Sequence, residues 1–122
     1  MRGPGQIREL AQVAQPEVGV MTNIGVAHIE LLGSQENIAR AKGELLECLP
    51  THGLAVLNGD DPLVRSQAVR SRSPVVFFGL SQNMDFQASS LKTMGTTGLS
   101  FIVTGPSGRE RIQLPLVGRF NV

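Results

Sequence analysis

The sequence predicts an α/β fold: a partial parallel sheet with flanking helices, followed by a small antiparallel β subdomain. Three observations predict it. Helical and strand-like patterns alternate three times over residues 5–79, as parallel strands joined by crossover helices require. The strand candidates are short apolar runs without polar alternation, the texture of strands buried on both faces. After Gly79 the helical spacing stops, and strand patterns separated by Gly-containing turns take over.

The elements follow in order. Gly3-Pro4-Gly5 is a loop. Ile7, Leu10, Ala11 and Ala14 recur at helical spacing and predict a helix from about Gly5 to Gln15. Pro16 stops it, because the residue before a proline is pushed out of the helical region. Val18-Gly19-Val20-Met21-Thr22 is the first strand, and Asn23 to Gly33 reads as a loop. Ser34 is a good N-cap, and Glu36 in the first turn suits the helix dipole. That helix runs to about Leu49, and Pro50 closes it. Leu54-Ala55-Val56-Leu57 is the second strand, after a turn at His52-Gly53. Asp61 caps a helix that has Pro62 at its first position and continues to about Arg70. Val75-Val76-Phe77-Phe78 is the third strand. Phe86 to Thr93, Leu99 to Thr104 and Glu110 to Leu116 then predict an antiparallel meander without helices, turning at 94–98 and 105–108. A boundary between the two textures is expected near Gly79 to Met84. The first five residues enter a loop at once and Gly118 to Val122 lack a closing element, so both ends read as cut from a longer chain.

Composition excludes several function classes. The chain has 122 residues, 41% hydrophobic and 17% charged, enough for one folded core and far from a disordered composition. A net charge of +1, scattered basic residues and no Trp or Tyr give no nucleic-acid platform. No apolar run reaches the length of a membrane span. The single cysteine, Cys48, permits no internal disulfide and fits a reducing cytosol; a small core residue is its simplest role.

The chemistry concentrates between Thr22 and Leu49. On the predicted helix Ile38, Ala41, Leu45 and Leu49 share a band of roughly 80°, and Lys42 falls inside that apolar arc. Glu36, Arg40 and Glu47 lie opposite. Two readings of Lys42 stay open. On helix geometry alone the commoner outcome is a side chain that snorkels from the core edge to water. The sharper outcome is an amine aimed into a site. There burial lowers its pKa, and it can react with CO₂ to give a carbamate whose oxygens suit Mg²⁺. Asn23 closes a parallel strand, and ligands of open α/β sheets sit beyond the carboxyl ends of strands. His28, in the same loop, is a candidate metal or phosphate contact; a lone loop histidine is more often a surface residue. Asn58, Asp60 and Asp61 are explained by turn and cap chemistry, with a ligand role in second place. No GxxxxGK[ST] phosphate loop is present.

Three stretches together resemble one family. Thr22-Asn23-Ile24-Gly25-Val26-Ala27-His28-Ile29-Glu30 with Gly33-Ser34, Ile38-Ala39-Arg40-Ala41-Lys42-Gly43-Glu44, and Asn58-Gly59-Asp60-Asp61-Pro62 look like the central domain of the Mur ligases. These are ATP-dependent amino-acid and peptide ligases of peptidoglycan synthesis. The resemblance covers essentially the whole chain. Met1-Arg2-Gly3-Pro4-Gly5-Gln6-Ile7 is most similar to the branch that adds D-alanyl-D-alanine to UDP-N-acetylmuramoyl-tripeptide. Phe120 stands where that branch usually has His, although the MurE type takes Phe there.

The resemblance implies roles and an organisation. ATP and Mg²⁺ are the implied cofactors. His28 and Lys42 match the family's catalytic residues at the second Mg²⁺, the lysine being carbamylated in several members. Asn23 matches the asparagine near the nucleotide phosphates. Asn121 matches the first Asn of an HNxxNALAA segment beside the adenine. ATP phosphorylates the substrate carboxylate, and the incoming amine attacks the acyl phosphate. Residues 1–80 are expected to form part of the α/β core, 81–117 a small antiparallel β subdomain, and 118–122 the start of a segment returning to the central domain. The resemblance further implies a cytoplasmic monomer with small-molecule substrates, acting in cell-wall growth, cell shape and division. The family's phosphate loop, a Glu just ahead of Met1 and two flanking domains are expected outside these residues, so the chain alone is expected to be inactive. Two other readings stand beside this one: another Mur-like ligase of the MurE, folylpolyglutamate synthase or cyanophycin synthetase type, and a non-catalytic α/β binding module.

Overall fold

The computed structural model describes residues 3–25 and 29–122. It falls into two compact units, one ending at Phe77 and one beginning at Phe78.

In the first unit the order is α1 (Gln6–Ala14), β1 (Val18–Met21), α2 (Ile29–Leu32), α3 (Gln35–Cys48), β2 (Leu54–Asn58), α4 (Pro62–Ser66), a 3-10 turn (Gln67–Arg70) and β3 (Val75–Gly79). β1 and β2 run parallel, from Val18 opposite Leu54 to Met21 opposite Leu57, and β3 neighbours β2. The connections match their local chemistry. Ser34 caps α3, its hydroxyl accepting from the Asn37 amide at 3.2 Å. Asp61 caps α4 with Pro62 behind it, and its Oδ1 accepts from the Leu63 and Val64 amides at 2.9 and 3.2 Å. Ile38, Leu46, Leu57 and Val64 are fully buried, and Met21, Ile24, Leu32 and Leu49 pack around them. Each such side chain contributes about 1.5–3 kcal/mol by leaving water.

Two further consequences arise at the start of α3. Ser34→Ala is expected to lower stability by about 1 kcal/mol, the usual worth of an N-cap hydroxyl. Thermal denaturation checks it, and an unchanged midpoint would refute the cap's contribution. The Glu36 carboxyl is held below its ordinary value of 4.5 by its own backbone amide and then by the Ser34 hydroxyl. A lowered folded-state pKa means that this contribution is present above about pH 4.5 and is lost as pH falls through the folded value.

The structure corrects several expectations here. The segment from Asn23 to Gly33 is not all loop: it holds α2, whose four residues are too few to show a period. The helix expected to reach Arg70 is α only to Ser66 and tightens to a 3-10 turn beyond. β1 is not buried on both faces. Gly19 and Met21 are covered, Gly19 lying against the Leu45 and Leu49 side chains, whereas Val18 and Val20 are about half exposed. α3 covers one face of this strand only.

The second unit is all β apart from short 3-10 turns. Phe78 and Gly79, the last residues of β3, pair in parallel with Phe86 and Gln87 of β4 (Phe86–Thr93). β4 then pairs antiparallel with β5 (Leu99–Gly105), and β5 with β6 (Gly108–Leu114). The β4–β5 register shifts between Ser89 and Lys92, where Ser90 adopts φ 54°, a bulge geometry. β6 begins two residues earlier than expected and ends at Leu114, because Pro115 has no amide to extend the ladder. The turn before β5 contains a 3-10 turn at Gly95–Thr97, so the meander is not wholly free of helical turns. At Gly98, φ is 125° and a Cβ would meet the Leu114 carbonyl oxygen, so only glycine fits.

Candidate functional site

The chemistry gathers where β1 and β2 end. The backbone ladder stops at Met21 and Leu57, and side chains take over. Asn58 Nδ2 donates to the Thr22 carbonyl at 2.8 Å. Lys42 Nζ, arriving from α3, donates to the Asn23 carbonyl at 2.7 Å. Asp61 Oδ2 accepts from the Ile24 amide at 2.8 Å. Three consecutive residues of the strand-end loop are thus each held by a side chain from a different element. A small pocket of about 180 Å³ lies beside them, lined by Val20, Thr22, Asn23, Lys42 and Leu45 among others.

Lys42 is half-buried and reaches the loop rather than bulk solvent alone. As an ammonium it can donate hydrogen bonds and stabilise negative charge, but it cannot ligate a cation. As a carbamate it would present two hard oxygens. Asn23 is exposed beside it. His28 lies outside the described residues. Asn121 belongs to the second unit, in the 3-10 turn Arg119–Asn121, where its Nδ2 donates to the Val117 carbonyl at 3.0 Å. Among the described residues, no group of three or more His, Cys, Asp or Glu side chains could by itself hold a metal ion.

The buried charge of α3 is Glu44, not Lys42. Glu44 is 6% exposed and accepts from the Gly5 amide at 2.7 Å and the Arg8 amide at 3.2 Å. It therefore caps α1 from another helix. Gly5, the N-cap residue, offers no side chain for the task. That glycine was the available signal: a helix opening on Gly must find its acceptor elsewhere. Glu47, one turn on, bridges Arg8 at 2.7 Å and Arg70 at 2.8 Å. Arg70 also donates to the Arg40 carbonyl, and it lies so close to Gly43 that a Cβ there would run into its guanidinium. A larger cavity of about 680 Å³ sits over these charges. Its carboxylates are already engaged with α1 amides and arginines, so its size does not make it the chemical centre.

Asn58 and Asp61 do the turn and cap work that their sequence suggests. Asn58 Oδ1 accepts from the Asp60 amide at 2.9 Å, an Asx turn. Each also spends its second polar atom on the β1 loop, which sequence reasoning missed.

In open α/β sheets ligands bind beyond the carboxyl ends of the strands, and Lys42 meets the Asn23 carbonyl at such an end. Comparison with known proteins gives the class. The whole chain, residues 1–122, matches the Mur ligase middle domain, and the chain belongs to that family. It is 44% identical over 121 residues to the UDP-N-acetylmuramoyl-tripeptide--D-alanyl-D-alanine ligase of Mycobacterium tuberculosis H37Rv, covering 99% of this chain and 24% of that protein. The fold superposes on a crystal structure of MurF from Acinetobacter baumannii with a TM-score of 0.90 at 24% identity, covering 99% of this chain and 26% of the other. MurF from Thermotoga maritima in complex with ADP gives a TM-score of 0.78 at 26% identity, with 91% and 25% covered. The chain spans about a quarter of the length of the curated relatives it matches. Among the described residues, no helix is long and apolar enough to cross a membrane.

Proposed function

We propose that this chain is the middle domain of a cytoplasmic, monomeric ligase that adds D-alanyl-D-alanine to UDP-N-acetylmuramoyl-tripeptide at the expense of ATP. The observation that carries this reading is the Lys42–Asn23 contact at the end of β1, in a chain whose full length matches the Mur ligase middle domain. The reaction has two steps. The tripeptide carboxylate takes the γ-phosphoryl group of ATP, giving an acyl phosphate and ADP. The D-alanyl-D-alanine amine then attacks the acyl carbon, phosphate leaves, and the amine loses a proton.

The residues of this chain contribute positioning and charge. Asn23, exposed at the strand end, is suited to contact the nucleotide phosphates, and Asn121 is assigned to the adenine side. Lys42 as the ammonium does not fit Mg²⁺. After its free amine has combined with CO₂ and released a proton, it fits a hard-oxygen site, and His28 is the second proposed ligand. Mg²⁺, when bound, offsets the charge that builds on the transferring phosphoryl group.

The test uses the ligase that carries this domain, supplied with UDP-N-acetylmuramoyl-tripeptide, ATP and Mg²⁺. D-alanyl-D-alanine is expected to give stoichiometric ADP and a new amide bond. Turnover with diaminopimelate or lysine on the dipeptide precursor instead would move the chain to the MurE type. Absence of nucleotide binding and turnover would favour a binding module. The 122 residues alone, lacking a GxxxxGK[ST] loop, are expected to release no phosphate from ATP.

A further inference from the structure

We propose that Asn58 and Asp61 are positioning residues for the β1 loop, and that the Asn-Gly-Asp-Asp-Pro turn after β2 serves as its clamp. Turn and cap chemistry uses only half of these two side chains. Asn58 Oδ1 closes the Asx turn on Asp60, and Asp61 Oδ1 caps α4. Neither role needs the other atom. Yet Asn58 Nδ2 reaches the Thr22 carbonyl 36 residues away, and Asp61 Oδ2 reaches the Ile24 amide 37 residues away, both at 2.8 Å. Between them Lys42 takes the Asn23 carbonyl.

Geometry gives the clamp its purpose. A strand beyond its last backbone pair is free to rotate its peptide planes. Here the β1–β2 ladder ends at Met21 and Leu57; beyond it Ile24 is anchored in the core, but Thr22 and Asn23 are exposed and lie past the last ladder pair. Fixing the Thr22 carbonyl and the Ile24 amide fixes both peptide planes flanking Asn23. The Asn23 carbonyl is then presented to Lys42, and the Asn23 Cα–Cβ bond leaves the backbone in a set direction. Asp61 also ties this loop to α4, because one carboxylate serves the Ile24 amide and the helix N-terminus together. A carboxylate has the acceptor capacity for both, whereas an Asn or Ser has one acceptor oxygen for the two tasks.

That difference separates clamp from cap. Asp61→Ser keeps a good N-cap for α4 but cannot span to Ile24. In the 122-residue chain, followed by amide hydrogen exchange, the Ile24 amide is expected to exchange about tenfold faster or more, while the Leu63 and Val64 amides stay protected. Asn58→Asp is the second variant: it keeps the acceptor for Asp60, sets a carboxylate against the Thr22 carbonyl, and is expected to loosen the same loop. The activity arm rests on the ligase reading above. In the ligase carrying either variant, kcat is expected to fall about tenfold with KM for the UDP-linked substrate unchanged. Unchanged Ile24 exchange in both variants overturns the clamp. Faster exchange with unchanged kcat overturns its positioning role. If the unsubstituted ligase shows no D-alanyl-D-alanine addition, the function reading fails, while the exchange result still decides the clamp.

Discussion

Lys42→Arg in the ligase that carries this domain is expected to lower kcat about 100-fold or more while leaving the domain folded. The wild-type Nζ donates to the Asn23 carbonyl at 2.7 Å from a half-buried position on α3. A guanidinium can make the same donation, so the loop keeps its tie and a positive charge remains. It stays protonated at any working pH and cannot combine with CO₂. Arginine therefore blocks the carbamate, which is an anion, while keeping the positive charge of the unreacted ammonium. Lys42→Ala removes both and is expected to be at least as damaging, with an added stability loss of about 1–2 kcal/mol for the missing charged hydrogen bond. Bicarbonate supplies the third arm: activity of the unsubstituted enzyme is expected to fall when CO₂ is stripped and to return when it is restored, with neither variant responding. If Lys42→Arg keeps wild-type kcat, the carbamate role is wrong, and Lys42 serves the loop as an ammonium.

What could be read from the sequence was what local chemistry dictates. Ser34, Asp61 and Pro62 announce helix starts because a cap is satisfied within three residues, and all three act as expected. The alternating apolar runs gave the strands of the first unit because each run must bury itself against α3 or a neighbouring strand. Lys42 and Asn23 stood out for the same reason, one as a charge within an apolar arc and the other as a polar strand end, and the structure brings them together. The parallel pairing of Phe78 with Phe86 was not legible, since it depends on the path of residues 80–85 rather than on any local pattern. Nor were the second bonds of Asn58 and Asp61. A side chain that already explains itself locally gives no sign of a partner 36 or 37 residues away. Glu44 was obscured by the helical wheel, which places residues relative to one apolar face and cannot show that another helix ends against the position.

Glu44 carries the largest expected effect on stability. Glu44→Ala is expected to destabilise the first unit by about 3 kcal/mol, beyond the range of ordinary surface substitutions. Glu44 is 6% exposed, and its carboxylate holds two amides at the start of α1, those of Gly5 and Arg8. Bonds to a charged acceptor are worth about 1.5–3 kcal/mol each and do not add fully, because both rest on one group. Alanine leaves both donors without that acceptor, and Gly5 has no side chain to replace it. The helix dipole raises the cost, since Glu9 in the first turn is then left to offset the positive partial charge at the start of α1. Glu44→Gln separates shape from charge: it fills the same space with one neutral acceptor and is expected to cost about 1–2 kcal/mol. Urea denaturation of the three proteins measures the series. A Glu44→Ala loss below about 0.5 kcal/mol would mean that water caps α1 as well as the carboxylate does. The ordering Ala worse than Gln is the more specific result. A side chain that merely filled space would make the nearly isosteric glutamine neutral, whereas a charged cap spanning two helices makes it intermediate.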